Sequence, residues 1–498
     1  MADQTPVKAE KERGGGMLRA AAVFGDHMVL QRGKPVNVFG EASGPVEVSL
    51  AGRSAAAYPE NGRFLAVLPA LDAGGPYSLT LRSGRETVTF TDVMVGEVWL
   101  CGGQSNMELA LVNAAGGPEE NAAASDPLLR FYTVPEAATA EEAAVNENGT
   151  SWITAAPGAV GCVSAVAYFA GQTLRAELGV PVGMAVCCLG GTQIACWMSR
   201  ECLDGFEEGR AENAAFDIAV KGITEEMYQR AAEEYLAVRQ KYWADTDALR
   251  RRCPGITAAG IERELGPYPW PPPFGPKMPR RPGGLWEGMV SRIVPLSVRG
   301  LLWYQGETDS GHAGMYPALF AHMIGFWRQA FGEIPVIACQ LPGFGSDPDN
   351  EDWPGIRSAQ EKVCDETPGC YLACLIDCGD REDLHPADKR TPGGRLAALA
   401  LRHVYGVPVP ADAPRLTGVR REGDRAVLRF SAPLAPLEGP PRGLCVGGAP
   451  CAEASVSGDE LRLAAPEGAR VAYAWENAPD ISLFGADGLP VFPFETGV

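Results

Sequence analysis

Apolar and polar residues alternate in short runs toward both ends of the chain, and the runs are separated by Gly, Pro and Asn. Between residue 17 and about 92 these runs are VNVFGE, VEVSLAG, FLAVLPAL, YSLTLRSG and TVTFTDV. A period of two with regular turn residues predicts an antiparallel β domain over 17–92. The texture returns over 411–498 in AVLRFS, GLCVGG, ELRLAA and RVAYAWEN, which predicts a second β-sandwich-like module. The polar stretch 1–16 is expected to be a loose tail.

At Val93 the pattern changes. VGEVWLCGG, VGMAVCCLGG, VRGLLWYQGE, IPVIACQLPG and CYLACLIDC are apolar on both faces, as strands inside a parallel sheet must be. They alternate with SAVAYFAGQTLRAELG and PALFAHMIGFWRQAFG, which carry helical periodicity. The alternation predicts an α/β fold with a doubly wound parallel sheet, formed by 93–202 and 283–410 and flanked by the two β modules. Residues 203–282 break the pattern and read as an inserted arm. There Ile223, Met227, Ala231, Tyr235, Val238 and Tyr242 recur at spacings of three and four, and Thr224 stands where a helix cap is expected. The Pro-rich PYPWPPPFGPKMPRRPGG that follows is incompatible with a helix or a central strand.

A length of 498 residues is too great for one ordinary core. The net charge of −19 disfavours phosphate backbones and anionic lipid surfaces, so neither nucleic acid nor membrane is expected as a partner. No apolar run is long enough for a membrane helix and the N-terminus has no signal-peptide h-region, so a cytoplasmic location is expected. Fourteen cysteines at this length do not suggest a disulfide scaffold. Cys370, Cys374 and Cys378 recur every four residues, but without a CxxC pair or a nearby histidine they read as core thiols, and neither metal nor cofactor is expected. Whether the chain forms a homo-oligomer stays open.

Candidate chemistry gathers where predicted strands end. In VGEVWLCGGQSNMELAL a buried strand gives way to Gly102–Gly103, and Ser105 then opens a helix as either a nucleophile or a simple cap. Of five histidines, His385 follows the last core strand, in GDREDLHPADK, with Glu382 and Asp383 just before it. His312 is a weaker candidate base. Gln305 in WYQGETD could donate amide hydrogens to an oxyanion, and the Gly190–Gly191 turn could supply a backbone N–H. Four glycine-bearing strand ends with catalytic residue types make a stronger case than any one of them.

GQSNME at 103–108, GGT followed by Trp197, WYQGE at 303–307, the acid-rich stretch ending in His385–Pro386 and the segment FGDHMVLQRGKPVNVFG together resemble the sialate O-acetylesterase family of SGNH hydrolases, over about residues 20–405. The resemblance implies an SGNH-type, flavodoxin-like sheet. It also implies a serine esterase with Ser105 as nucleophile and His385 as base. The oxyanion hole would come from Ser105 N–H, Gly191 N–H and Gln305. In such enzymes an acid three residues before the histidine orients it; here that position is Glu382, with Asp383 one residue nearer, so either acid or a Ser–His dyad fits. Gln104, Asn106, Trp197, Glu307 and Arg357 are substrate-binding candidates. The implied partner is a small O-acetylated sugar. A sialic acid would need a cation for its carboxylate, with Arg200, Arg357 and Arg280–Arg281 available. The alternatives are an acetylxylan or other sugar acetylesterase, and a non-catalytic carbohydrate-binding protein on a hydrolase fold.

Overall fold

The computed structural model describes residues 17–253, 256, 258–345 and 351–498, so the tail expected over 1–16 lies outside the described residues. A large mixed sheet forms the centre, and further antiparallel sheets flank it. Its main path contains seven strands: β1 (Glu86–Gly103), β2 (Asp126–Thr133), β3 (Ile153–Ala155), β4 (Val182–Cys188), β5 (Gly300–Tyr304), β6 (Val336–Cys339) and β7 (Cys370–Ala373). They lie in the order β3-β2-β4-β1-β5-β6-β7. All neighbours are parallel except the edge strand β3, which runs antiparallel to β2. The strands β1, β4, β5, β6 and β7 coincide with the five doubly apolar runs.

β2 was not expected. Its run is interrupted by Arg130, a buried cation that donates to the carbonyls of His27, Asp92 and Pro127. A satisfied charge inside a strand hides that strand from a hydrophobic pattern.

β1 has 18 residues and serves two sheets. Its first half pairs antiparallel with Gly74–Ser83 of the N-terminal β region, and its second half lies between β4 and β5. The N-terminal β segment and the α/β segment thus share one continuous strand across residue 93. Where the two halves meet, the buried Glu97 carboxylate accepts from Gln31, Arg32 and Arg299 at 2.6–3.1 Å. Burial pushes its pKa up, but the Arg299, Gln31 and Arg32 hydrogen bonds outweigh this and hold it below the usual glutamate value.

Helices cover both faces of the sheet. On β1, Trp99 and Gly102 point to opposite sides. Trp99 meets Tyr405 of α5 (Arg390–Tyr405), which packs beside α1 (Ala165–Leu178). Gly102 shares its face with Trp303 of β5, which meets Trp327 of α3 (Tyr316–Phe331), packed beside α4 (Trp353–Glu366). The arm is dominated by α2 (Glu225–Arg252), whose 28 residues make a rod of about 42 Å. Thr224 caps it by accepting the Met227 N–H. The apolar stripe expected on α2 is only partly covered. Tyr235 and Tyr242 hydrogen-bond the carbonyls of Pro269 and Gly266 in the following strap, while Met227 and Val238 stay exposed. Among the described residues no helix is long and apolar enough to cross a membrane.

The C-terminal region forms two four-stranded antiparallel sheets. Arg357 joins it to the α/β body. This side chain was a candidate for binding a substrate carboxylate, and the structure corrects that expectation. It is fully buried in α4 and donates to five main-chain carbonyls, those of Leu341, Pro342, Ala474, Glu476 and Asn477. Burial pushes its pKa down to about 10, which still leaves it charged at neutral pH. Arg357→Leu would orphan these carbonyls and is expected to lower unfolding free energy by about 3 kcal/mol in urea titration. It should leave KM for any acetylated substrate unchanged. A loss below about 1 kcal/mol would contradict the strut role.

Candidate active site

The site forms where β1 ends between two neighbours. Gly103 is paired with Cys188 of β4 on one side and Tyr304 of β5 on the other. Its φ is +138°, and a Cβ there would sit 2.0 Å from the Tyr304 carbonyl oxygen, so only glycine fits. The chain then turns into a one-turn helix, Ser105–Glu108, with Ser105 first. Among the described residues the Ser105 N–H has no acceptor.

His385 arrives from the far side of the sheet. Its loop leaves β7, three strands away from β1, and crosses roughly 14 Å to reach the turn. The two side chains, 280 residues apart, meet with His385 Nε2 2.8 Å from Ser105 Oγ. Both keep partial solvent access. Burial lowers the His385 pKa below 6.5, the positive charge of Lys389 lowers it further, and Asp383 opposes them. Asp383 Oδ1 accepts the backbone N–H of His385 at 2.8 Å, whereas Glu382 is exposed. Among the described residues no carboxylate bonds to the second imidazole nitrogen, and the geometry is that of a Ser–His dyad with Asp383 nearby.

The glycine turn after β4 packs against Ser105. A Cβ on Gly190 would fall 3.2 Å from Ser105 Cβ, while one on Gly191 would strike the ring of Trp270. Gly190 N–H donates to Glu108 Oε2 at 2.6 Å, and Gly191 N–H has no acceptor among the described residues. Glu108 is exposed, yet the groups packed round its carboxyl raise its pKa, against the Gly190 N–H bond. Arg280 donates to the Gly190 carbonyl at 2.9 Å and stacks 5.3 Å above Trp270, which is 53% exposed. A cavity of about 480 Å³ between the arm and residues 136–142 includes Arg280 in its wall but neither Ser105 nor His385. The Ser105–His385 contact, and not the cavity, marks the candidate site.

Several expectations are corrected here. Gln305 is completely buried, and its amide donates to the Thr192 carbonyl at 3.1 Å and to Asp309, so no hydrogen is left for an oxyanion. Asp309 also accepts Ile194 N–H, which ties the loop after β5 to the glycine turn after β4. Four further substrate-binding candidates are interior. Gln104 (2% exposed) lies among Thr192, Gln305, Glu307 and Thr308, and Asn106 (0%) bonds Glu307 (6%). Trp197 (0%) belongs to an aromatic cluster with Trp303 and Trp327 and donates to Thr192. Of the cation candidates, Arg200 is held by Asp217 and Arg281 is buried against Ala138, Met278 and Glu287; Arg280 alone reaches the site. Glu108, Trp270 and Lys389 were missed. Glu108 had a usable signal, since a residue three after Ser105 on a helix shares its side. Among the described residues no group of three or more His, Cys, Asp or Glu side chains converges as a metal site.

No family model matches the chain. The mouse (Mus musculus) sialate O-acetylesterase is 26% identical over 443 residues, covering 80% of this chain and 76% of that protein. The human (Homo sapiens) sialate O-acetylesterase is 24% identical over 439 residues, covering 80% and 73%. The crystal structure of a carbohydrate acetylesterase from Xanthomonas citri superimposes with a TM-score of 0.74 at 29% identity, covering 96% of this chain and 99% of that one. Together with a serine and a histidine meeting at the end of a buried strand, these likenesses make the chain an ester hydrolase homologous to the sialate O-acetylesterases.

Proposed function

We propose that the protein is a carbohydrate O-acetylesterase acting through an acetyl-serine, with O-acetylated sialic acid as its substrate class. The observation that carries this reading is the 2.8 Å contact between Ser105 and His385 at the carboxyl edge of the sheet. The strand order supports an SGNH-type, flavodoxin-like frame. Numbered in chain order, the six parallel strands run 2-3-1-4-5-6, and the five that remain once β2 is set aside run 2-1-3-4-5. Ser105 lies at the switch point beside the first of them, where ligands bind in open α/β sheets.

In the proposed mechanism Ser105 Oγ attacks the acetyl carbonyl while neutral His385 takes its proton. The tetrahedral oxyanion rests on Ser105 N–H and Gly191 N–H, the two amides of the site without an acceptor among the described residues. His385 then returns the proton to the departing sugar hydroxyl. Water, activated by the same imidazole, cleaves the acetyl-serine and releases acetate. Trp270 offers an exposed ring to the sugar. Arg280, braced by Gly190, is the cation available to a sugar carboxylate.

Ser105→Ala is expected to fold normally and to lose about 10⁴-fold or more in kcat for acetyl release from 4-nitrophenyl acetate and from acetylated sugars. Equal rates in wild type and variant would remove the serine from the mechanism. Because neutral His385 is the base and its pKa lies below 6.5, the acidic limb of kcat/KM should fall at a pH under 6.5. An inflection above that value would contradict the assigned environment. Arg280→Gln should raise KM for O-acetylated sialic acid about 10- to 100-fold while sparing acetylated xylo-oligosaccharides. An equal effect on both would point to a neutral sugar instead.

A further inference from the structure

Directly behind the nucleophile lies a buried polar trio that the acyl-transfer steps do not use. Asn106, next in sequence to Ser105, is wholly enclosed, with both amide hydrogens donated and its oxygen accepting. Its Nδ2 donates to Glu307 Oε1 at 2.6 Å and to the carbonyl of Leu384 at 3.1 Å, and its Oδ1 accepts from Lys389 Nζ at 2.6 Å. Leu384 immediately precedes His385, and Lys389 lies four residues beyond it and is 1% exposed. The same amide therefore grips the histidine loop on both sides of the base. The amide orientation is unambiguous, because the opposite one would set nitrogen against an ammonium and oxygen against a carboxylate.

We propose that Asn106, Lys389 and Glu307 form a positioning unit which locks the His385 loop onto the nucleophile turn and keeps a fixed positive charge behind the imidazole. The inference rests on the reading of Ser105 and His385 as the reacting pair. Beyond the single bridge of Asp380 to Phe344 this loop has no ladder to fix its end, and its placement depends on tethers, the Ala115 N–H bond to the Ala387 carbonyl and the contacts of the Asn106 amide among them. Burying an ammonium is costly unless it is paired, and Lys389 is surrounded accordingly. Asn106 bonds it from the nucleophile turn, and the Tyr304 ring lies 5.8 Å away at the end of β5. Glu307 acts on it from the loop after β5, Cys339 from the end of β6, and Asp383 and Asp388 from its own loop.

Burial pulls the Lys389 pKa down to about 8 against these acidic groups, so it is cationic throughout the range in which His385 titrates. The groups acting on His385 are Lys389, which favours the neutral imidazole, and Asp383, which opposes it. With no carboxylate on the second ring nitrogen, a neighbouring cation keeps the base unprotonated and ready to accept the serine proton.

The test is the pH dependence of kcat/KM with 4-nitrophenyl acetate for full-length Lys389→Gln, Lys389→Met and Lys389→Arg, with Ser105→Ala as control. Gln keeps one hydrogen bond toward Asn106 but removes the charge, Met removes both, and Arg keeps the charge. The acidic limb should move to higher pH in the Gln and Met variants and stay near its wild-type position in Arg. Asn106→Ala should lower kcat about 100-fold with KM little changed. A limb that superimposes on wild type in a folded Gln or Met variant overturns the electrostatic role. Wild-type kcat in Asn106→Ala overturns the tether. If Ser105→Ala retains activity, it is the underlying assignment of the reacting pair that fails, and that outcome is separable from the other two.

Discussion

The site depends on how closely two strands approach at Gly103. With φ at +138° and the Tyr304 carbonyl occupying the space a Cβ would need, this residue lets β1 stay in register with β5 up to its last position and then turn at once. Gln104 N–H still bonds the Tyr304 carbonyl, and Ser105 follows with no intervening residue to relax the geometry. A side chain at 103 would force the strands apart and displace the hydroxyl from the imidazole. The Ser105–His385 contact is therefore a consequence of main-chain packing as much as of side-chain placement.

The sheet that makes this approach possible was largely legible in the sequence. The five doubly apolar runs became parallel strands because continuous apolar character has one compact solution, burial between helix layers. The strand carrying Arg130 was invisible, since its guanidinium is satisfied by carbonyls and by the Asp92 carboxylate that only the folded chain brings together. The two β regions were legible as texture, although the sharing of β1 between two sheets was not. Alternation locates a strand but not its partners.

At the site, the meeting of Ser105 and His385 was legible and its surroundings were misread for a common reason. Polar residues at strand ends suggest contact with substrate, yet Gln104, Asn106, Gln305 and Glu307 bond one another and the loops around them. Asp309, which burial pushes up to about 7 against bonds from Gln305 and Ile194, fastens two of those loops together. A sequence shows that a side chain can hydrogen-bond but not which way it faces. Lys389 was missed for the converse reason, because a lysine in the run PADKR ordinarily belongs to water. Satisfied networks of this kind rigidify a site more than their separate bonds suggest.

Arg357 reads the C-terminal module solely through peptide oxygens, and these are present whatever residue occupies each position. The side chains at Ala474–Asn477 can therefore be exchanged without loss of this contact, provided the backbone keeps its path, whereas Arg415, paired with Glu361 and Asp365 of α4, links the module through its own side chain. Away from the Arg357 and Arg415 joints, the outer faces of the two terminal sheets can vary in composition without touching the link to the α/β body.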